Sequence, residues 1–241
     1  MPGNRPEAEV AATSDGLYET AIGEKSTVTM PDGTLIVLNT NSLLHVEYTP
    51  SQRLLTLERG EVNVRVASDE SRPLSVVAGD QVFEAVGTEF NVEIIDSQKI
   101  ELVVTEGRVR VGVRQRSSDS GGTAAPEAPV PSPRTVSAGE ELILGTIEEE
   151  IKPVSLEEIE VKLSWRSGNL TFRGESLEEV LEEVGRYTAV EFVFVDDDLR
   201  RRTVAGLFKA GDVDGLLATL RENFDIVHER VDDRTVLLDS E

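Results

Sequence analysis

The apolar residues of this 241-residue chain change their spacing near Trp165, and this change limits the folds that the chain can adopt. Over residues 17–147, apolar and polar residues alternate in short runs separated by glycine-containing turns, as in β-strands with one buried face. After Trp165, apolar residues recur at intervals of three and four, as on one face of a helix. The sequence therefore predicts a mainly β domain followed by a small α+β domain at 165–241.

Glycines mark the corners of the predicted β domain. Pro31, Asp32 and Gly33 separate two apolar runs and suit a tight turn, because proline fixes φ, aspartate bonds its own backbone and glycine accepts positive φ. A strand, a glycine turn, a polar residue and a second strand also recur at four further positions: Gly60, Gly79, Gly107 and Gly139. The recurrence predicts a β-solenoid-like or wound antiparallel β domain whose corners require positive φ.

Three segments lack the patterns of regular elements. Residues 1–16 are expected to form a flexible N-terminal segment, and residues 148–164 to link the two domains. Residues 114–136 are rich in Ser, Gly, Pro and Ala and contain almost no large apolar residue, which predicts a mobile loop within the β domain.

The predicted α+β domain contains an internal repeat of 36 residues. Phe172 precedes a plausible N-cap, Ser176, and Glu179 completes a capping box three residues later. Phe208 and Asp212 occupy the same positions in the second half. The apolar residues that define one helical face also match in pairs: Leu177, Val180, Leu181 and Val184 with Val213, Leu216, Leu217 and Leu220. Each half is therefore predicted to be a β-α-β unit, and the two together should form one core.

Composition and motifs exclude several functions. The formal net charge of -22 would repel nucleic acid and anionic lipid. The chain has no cysteine, and its two histidines, His45 and His228, lie in no metal-binding pattern. No glycine-rich phosphate loop or nucleophile motif is present. We therefore expect a protein that is not an enzyme and has no cofactor or metal. Paired carboxylates leave an envelope hydrolase as one alternative.

The order of the motifs resembles the FecR-domain pattern of bacterial transmembrane sensors. The resemblance runs from about Ile22 to Leu144 and rests on five segments: STVTMPDGTLIVLNTNSLLHVEY, RLLTLERGEVNVRV, RPLSVVAGDQVFEAVGTEFNVEI, ELVVTEGRVRV and TVSAGEELIL. The segment from SWRSGNLTF to RTVLL is similar to the C-terminal part of the same proteins. That part resembles the short secretin/TonB N-terminal (STN) fold, which has two β-α-β units.

The resemblance implies a role in signalling across the bacterial envelope. Regulators of this kind bind the signalling domain of a TonB-dependent outer-membrane transducer and control an extracytoplasmic-function sigma factor, often for siderophore or nutrient uptake. Their sigma-binding segment is cytoplasmic and is followed by one membrane helix. Neither precedes Leu17, so we expect this chain to be the periplasmic fragment of a single-pass inner-membrane protein, with Met1 introduced by truncation.

The partner is expected to bind the STN-like domain, because exposed sheet edges accept an added strand and nearby side chains can select it. The candidate contact residues combine the repeated phenylalanines with exposed arginines: Phe172, Arg173, Arg200, Arg201 and Phe208. There is an alternative for each group. The phenylalanines would occupy equivalent core positions of the two repeats, and the arginines would lie in an ordinary solvated loop.

Trp165 is the only tryptophan and has no aromatic counterpart 36 residues later. We expect it to be partly buried at the junction of the two domains, contributing on the order of 2 to 3 kcal/mol if it is well covered.

A rival function for the whole chain is an envelope carbohydrate- or cell-wall-binding β module. That function predicts an exposed aromatic platform, whereas aromatic residues make up only 5% of the chain.

Overall fold

The chain divides into two units at a helix that follows the last strand of the β region. The structure is a computed structural model and describes residues 8–11, 15–114, 134–145 and 149–240. The first unit contains the chain up to Thr20 and the segment Lys25–Ile159, and the second contains Ala21–Glu24 and Glu160–Glu241. The boundary therefore lies within a short helix, α1 (Leu156–Lys162).

The described residues of the first unit form fourteen strands in one hydrogen-bonded network. These strands are β1 (Ala8–Ala11), β2 (Asp15–Glu19), β3 (Ser26–Thr29), β4 (Leu35–Leu38), β5 (Leu43–Tyr48), β6 (Arg53–Arg65), β7 (Leu74–Ala78), β8 (Gln81–Ala85), β9 (Glu89–Ile94), β10 (Ile100–Glu106), β11 (Arg108–Val113), β12 (Arg134–Ser137), β13 (Glu140–Leu144) and β14 (Ile151–Pro153). Most neighbours are antiparallel, with parallel pairing of β6 with β7 and of β1 with β3. The mainly β class is confirmed, in its wound antiparallel form.

Strand β6 is 13 residues long and has different neighbours along its two halves. Its first half, to Arg59, pairs with β5 and β7, and its second half, from Gly60, pairs with β4 and β9. Buried side chains from both halves belong to one hydrophobic core, including Leu55, Leu57 and Val62. Strand β6 therefore connects the two parts of the sheet that enclose the core.

Gly60 lies where β6 changes neighbours and has a φ of 82°. A Cβ at this position would lie 2.6 Å from the Cα of Ser42, so no larger residue fits without displacing backbone. The Ser42 hydroxyl in turn accepts a hydrogen bond of 3.0 Å from the Glu61 N–H. The prediction of positive φ is confirmed here and at the three other recurring corners: Gly79, Gly107 and Gly139.

The turn predicted at residues 31–33 is confirmed, and a buried arginine holds it to another part of the unit. The Thr34 N–H donates to the Asp32 carboxylate at 2.9 Å, as in an aspartate-stabilised turn. The Arg53 side chain, which is fully buried, donates to Asp32 at 2.8 Å and to the carbonyl oxygens of Ala67 and Arg72 at 2.8 Å each. Burial raises the Asp32 pKa, but the hydrogen bonds from Arg53 and Thr34 outweigh it and leave this pKa below its ordinary value.

The second unit contains the doubled β-α-β arrangement, which is confirmed. Its elements are β15 (Asn169–Ser176), α2 (Leu177–Gly185), β16 (Glu191–Phe194), β17 (Thr203–Lys209), α3 (Val213–Phe224), β18 (Ile226–Arg230) and β19 (Thr235–Ser240). Strand β15 pairs with β17 in a two-stranded sheet, and β16, β19 and β18 form a three-stranded sheet with β19 in the centre. Both sheets contact the helices.

Both helices begin at the predicted residues. The Ser176 side chain accepts from the Glu179 N–H and the Glu179 carboxylate accepts from the Ser176 N–H, so the capping box is complete. The Asp212 side chain caps α3 by accepting from the Gly215 N–H. The apolar faces predicted from the repeat are all buried: Leu177, Val180, Leu181 and Val184 on α2, and Val213, Leu216, Leu217 and Leu220 on α3.

The structure corrects the three segments that were expected to be irregular. In the predicted loop 114–136, residues 134–136 belong to β12, and Val136 is fully buried; residues 115–133 lie outside the described residues. In the predicted flexible segment 1–16, residues 8–11 and 15–16 lie in strands, and residues 1–7 and 12–14 lie outside the described residues. The predicted linker contains β14 and α1. The short strands among them are held by backbone pairing with neighbouring strands, which leaves little signature in their own apolar content.

We predict that replacing Arg53 by methionine lowers the free energy of unfolding by about 3–5 kcal/mol. The substitution leaves the Asp32 carboxylate and several carbonyl oxygens without their donor. A matched control is Arg59→Met, because Arg59 pairs with Glu19 while both side chains are largely exposed, at 41% and 59%. In urea denaturation, the free energy of unfolding of Arg59→Met should fall by at most about 1 kcal/mol. Equal losses for the two variants would contradict the role assigned to Arg53.

The Asp32 carboxylate should also give the unit a defined pH dependence. Because its folded pKa lies below the ordinary value of 3.8, its contribution to stability is complete above that value and is lost as pH falls through the folded pKa. The difference in unfolding free energy between the native chain and Asp32→Asn should therefore be largest near neutral pH and shrink in acid. If the difference in unfolding free energy between the two proteins stayed constant from neutral to acidic pH, this prediction would be contradicted.

Two glycines with positive φ should respond differently to alanine. Gly33→Ala has open space around the new Cβ, so only the backbone strain of about 1–2 kcal/mol applies. Gly60→Ala carries the same strain and adds a clash with Ser42 of about 1–3 kcal/mol. Thermal or chemical unfolding of both variants tests this order, and equal losses would contradict it by showing that Ser42 moves aside without loss.

Candidate partner-binding surface

The two repeated phenylalanines are core residues, which corrects their expected place at the partner surface. Phe172 and Phe208 are each only 7% exposed, and their ring centroids lie 5.9 Å apart. Leu170 lies opposite Phe208 in the β15–β17 pair, on the same buried face, which the helices cover. The alternation of the strands thus turns both rings inward, where they stabilise the second unit.

Arg173 lies on the opposite, outward face of the β15–β17 sheet and is exposed. Its cross-strand neighbour is Ala205, and Leu207 on the same outward face is 67% exposed. The pairing register shifts between Arg173 and Glu175, so β15 is irregular at this point. This face is accessible to a partner and includes one of the predicted arginines.

Arg200 and Arg201 lie in a 3-10 turn, Asp197–Arg201, after β16. Arg200 donates to Asp197 at 3.0 Å and to Glu178 at 2.7 Å, and its guanidinium carbon lies 4.5 Å from the centroid of the Phe194 ring. Hydrogen bonds to these carboxylates, first to Asp197 and then to Glu178, raise the Arg200 pKa above its ordinary value. Arg200 is therefore held in place by its neighbours.

Arg201 points away from these contacts. Its side chain is 83% exposed and donates to Asp198 at 2.8 Å, three residues earlier in the chain. An exposed ion pair of this kind holds a side chain only weakly. Arg201 is thus available to an incoming carboxylate, while Arg200 is fixed over Phe194.

A groove of about 300 Å³ lies between helix α2 and strand β16. Its apolar lining consists of Leu181, Val190, Phe192 and Phe194. Its charged rim consists of Glu178, Glu182, Glu191 and Arg200. Gly185 also lines the groove, and a Cβ placed on Gly185 would meet no atom within 4 Å. We call this feature the β16 groove.

Strand β16 has an open edge beside this groove, because among the described strands it pairs only with β19. The N–H of Glu191 donates to Arg234 and that of Val195 donates to Leu238, so the backbone groups of these residues face β19. Since backbone groups alternate in direction along a strand, those of Phe192 and Phe194 face the open side. The edge therefore offers donors and acceptors in the spacing of a β ladder.

Trp165 is more deeply buried than the partly covered position that we expected. It lies in the 3-10 turn Ser164–Ser167 and is 2% exposed. Its indole Nε1 has no hydrogen-bond partner among the described residues. The Ser164 hydroxyl beside it accepts from the Thr171 N–H at 3.1 Å, which ties this turn to β15. Its packing at a domain junction stays a prediction.

The residues that were considered for chemistry have structural roles. Asp196 accepts from the Asp198 N–H at 2.9 Å and caps the 3-10 turn. His45 lies on β5, with its Nε2 2.9 Å from Glu58. His228 is exposed on β18. Within the described ranges, no group of three or more His, Cys, Asp or Glu side chains could hold a metal ion.

No helix in the described part of the chain is long and apolar enough to cross a membrane.

Sequence reasoning missed the residues of the β16 groove. Strand β16 belongs to the first predicted β-α-β unit, but its position at a sheet edge depends on the pairing of β19 with both neighbours. One signal was available: residues 192–195 read Phe-Val-Phe-Val, so both faces of the strand are apolar. This pattern is typical of a strand that is covered on both faces.

Comparison with known proteins supports the same fold. Residues 16–110 match the family model described as FecR protein. The chain is also similar to two crystal structures, at 1.65 and 2.50 Å, of a candidate anti-sigma factor from Parabacteroides distasonis ATCC 8503. Each is 21% identical, with 94% of this chain and 99% of that chain covered and TM-scores of 0.69 and 0.68.

No curated protein gives a significant match. The structural likeness establishes a shared fold across both units, and the family model assigns most of the wound β unit. Residues 16–110 of the chain therefore match the FecR family, and the chain as a whole shares the fold of the candidate anti-sigma factor.

Proposed function

We propose that this chain is the periplasmic, signal-receiving region of a FecR-like anti-sigma regulator. In this role it binds the N-terminal signalling domain of a TonB-dependent outer-membrane transducer and thereby controls an extracytoplasmic-function sigma factor. The sigma factor is reached only through a cytoplasmic segment of the regulator. The chain acts by protein recognition and not as an enzyme.

The observation that carries this proposal is the FecR domain together with a fold shared along nearly the whole chain. The family model covers residues 16–110, and the similarity to the candidate anti-sigma factor covers 94% of the chain, including the second unit. The second unit has two β-α-β halves, the arrangement implied by the resemblance to STN domains. We assign partner recognition to this unit.

The surface of the second unit supports recognition of a protein. Arg173 and Leu207 are exposed on the outward face of the β15–β17 sheet, and Arg201 is exposed in the turn after β16. Arg200 is placed at the rim of the β16 groove. Arginine and apolar side chains around an open strand edge are a common combination at protein interfaces. We therefore keep these three arginines as contact residues and omit the buried phenylalanines.

The burial of the aromatic residues favours this function over the carbohydrate-binding alternative. A sugar-binding β module usually presents exposed aromatic rings. All phenylalanine, tyrosine and tryptophan residues of this chain lie within the described ranges, and each is buried or half-buried. In the wound β unit, Phe83 and Phe90 belong to the core.

Binding between purified components tests the proposed function. We expect the whole chain to bind the signalling domain of the transducer encoded beside its gene with 1:1 stoichiometry in isothermal titration calorimetry. The affinity should be on the order of micromolar, as for transient signalling complexes, and should fall with added salt if charged side chains contribute.

A signalling domain from a transducer that is not encoded beside a FecR-like gene is the control for specificity. It should bind at least about tenfold more weakly, because interface charges and pockets select the correct partner. Failure of the whole chain to bind the neighbouring transducer's signalling domain would overturn the proposed function.

A further inference from the structure

Strand β16 has an edge without proline, and its only charged residue is Glu191, at the start of the strand. Residues 192–195 carry no charge and no proline, and both faces retain accessible apolar surface. Phe192 and Phe194 are half-buried on one face, whereas Val193 and Val195 are 37% and 57% exposed on the other. Natural edge strands are normally protected by charges, prolines or bulges. An edge with open backbone groups and no charge over residues 192–195 is therefore suited to pair with another strand.

Two further edges of the second unit are protected. Strand β18, at the far side of the three-stranded sheet, presents exposed His228, Glu229 and Arg230. Strand β15 has an irregular register between Arg173 and Glu175, which interrupts an added ladder. Strand β16 is thus more open to augmentation than the edges of β15 and β18.

The β16 groove provides space for the side chains of an added strand. Helix α2 lies on one side of the groove, and the apolar surfaces of Leu181, Phe192 and Phe194 lie within it. Gly185, near the end of α2, leaves room where any other residue would place a side chain. Alternate side chains of a strand paired with β16 would point to this side of the sheet. An apolar side chain of moderate size fits between Gly185 and the two phenylalanine rings.

The charged rim indicates the chemistry of the partner strand. Glu182 and Glu191 are exposed, and neither forms an ion pair within the described part of the chain. Arg200 is already paired with Glu178 and Asp197. The rim therefore favours lysine or arginine side chains on the incoming strand. A second copy of this chain is a poor occupant, because it carries the same rim and a net charge of -22.

From these features we infer that an extended, basic segment of the transducer's signalling domain adds to β16 as a fourth strand of the β16–β19–β18 sheet. The inference rests on the proposed function for the identity of the partner. One apolar side chain of the segment occupies the β16 groove beside Gly185, and flanking lysine or arginine side chains face Glu182 and Glu191. Backbone hydrogen bonds form with Phe192 and Phe194.

Filling the groove from within tests the inference. In Gly185→Leu the new side chain occupies the space of the partner's apolar residue, so affinity for the signalling domain should fall by about tenfold or more. Gly185→Ala should give a smaller loss. Neither substitution meets a nearby atom at Cβ, and Gly185 has no positive φ, so the unfolding midpoint should not fall.

Reversing the rim charges provides an independent test. The double variant Glu182→Lys and Glu191→Lys should lower the association rate for the signalling domain by about tenfold at low salt, with a smaller effect at high salt. The matched control is Glu222→Lys, an exposed glutamate on α3 that does not line the groove. This control should bind like the native chain.

Hydrogen exchange locates the added strand directly. In the complex, the amides of Phe192 and Phe194 should exchange at least about tenfold more slowly than in the free chain, because they gain backbone partners. The amides of β18 should be unchanged. Protection of β18 or of the β15–β17 sheet instead, with β16 unchanged, would overturn the inference.

The outcomes separate this inference from the proposed function. If the native chain binds the signalling domain and Gly185→Leu and the rim variant bind equally well, the inference fails and the proposed function stands. If the native chain does not bind the signalling domain, both fail. Concentration-dependent dimerisation that Gly185→Leu abolishes would identify a second copy as the occupant and overturn the assignment to the transducer.

Discussion

The wound β unit depends on strand β6, because this one strand is hydrogen-bonded to both parts of the sheet. Its neighbouring strands change at Gly60. The backbone there has positive φ and lies so close to Ser42 that no Cβ fits between them. Hydrophobic residues on both halves of β6 therefore enter the same core. Arg53, at the start of the strand, holds the Asp32 turn and the chain near Arg72 to the same end of the unit.

The second unit is organised differently, because its repeated sequence brings equivalent residues of the two halves into contact. Phe172 and Phe208 occupy matching positions 36 residues apart, and the pairing of β15 with β17 brings their rings together. The remaining strands pair through β19, which lies between β16 and β18. This arrangement leaves β16 at an edge, and the proposed recognition of a partner strand depends on that position.

Much of this fold could be predicted because local chemistry decides it. Turn residues such as Asp32 and Gly33, the capping box of Ser176, and the apolar faces of both helices act within a few residues of chain. The three-residue strand β14 could not be predicted from its own residues, since it is held by backbone hydrogen bonds to β13. For the candidate site, the arginines near residue 200 were accessible to sequence reasoning, while the β16 groove was not.

The sequence by itself determined the two-part organisation, the positive-φ corners, the helix starts and the resemblance to FecR domains, because periodicity and turn chemistry are written in neighbouring residues. Only the tertiary structure decided that Phe172 and Phe208 face the core, that Arg53 is buried, and that β16 has an open edge. These properties depend on which strands become neighbours. That choice arises from the burial of apolar surface by the whole unit, which no single segment of the sequence specifies.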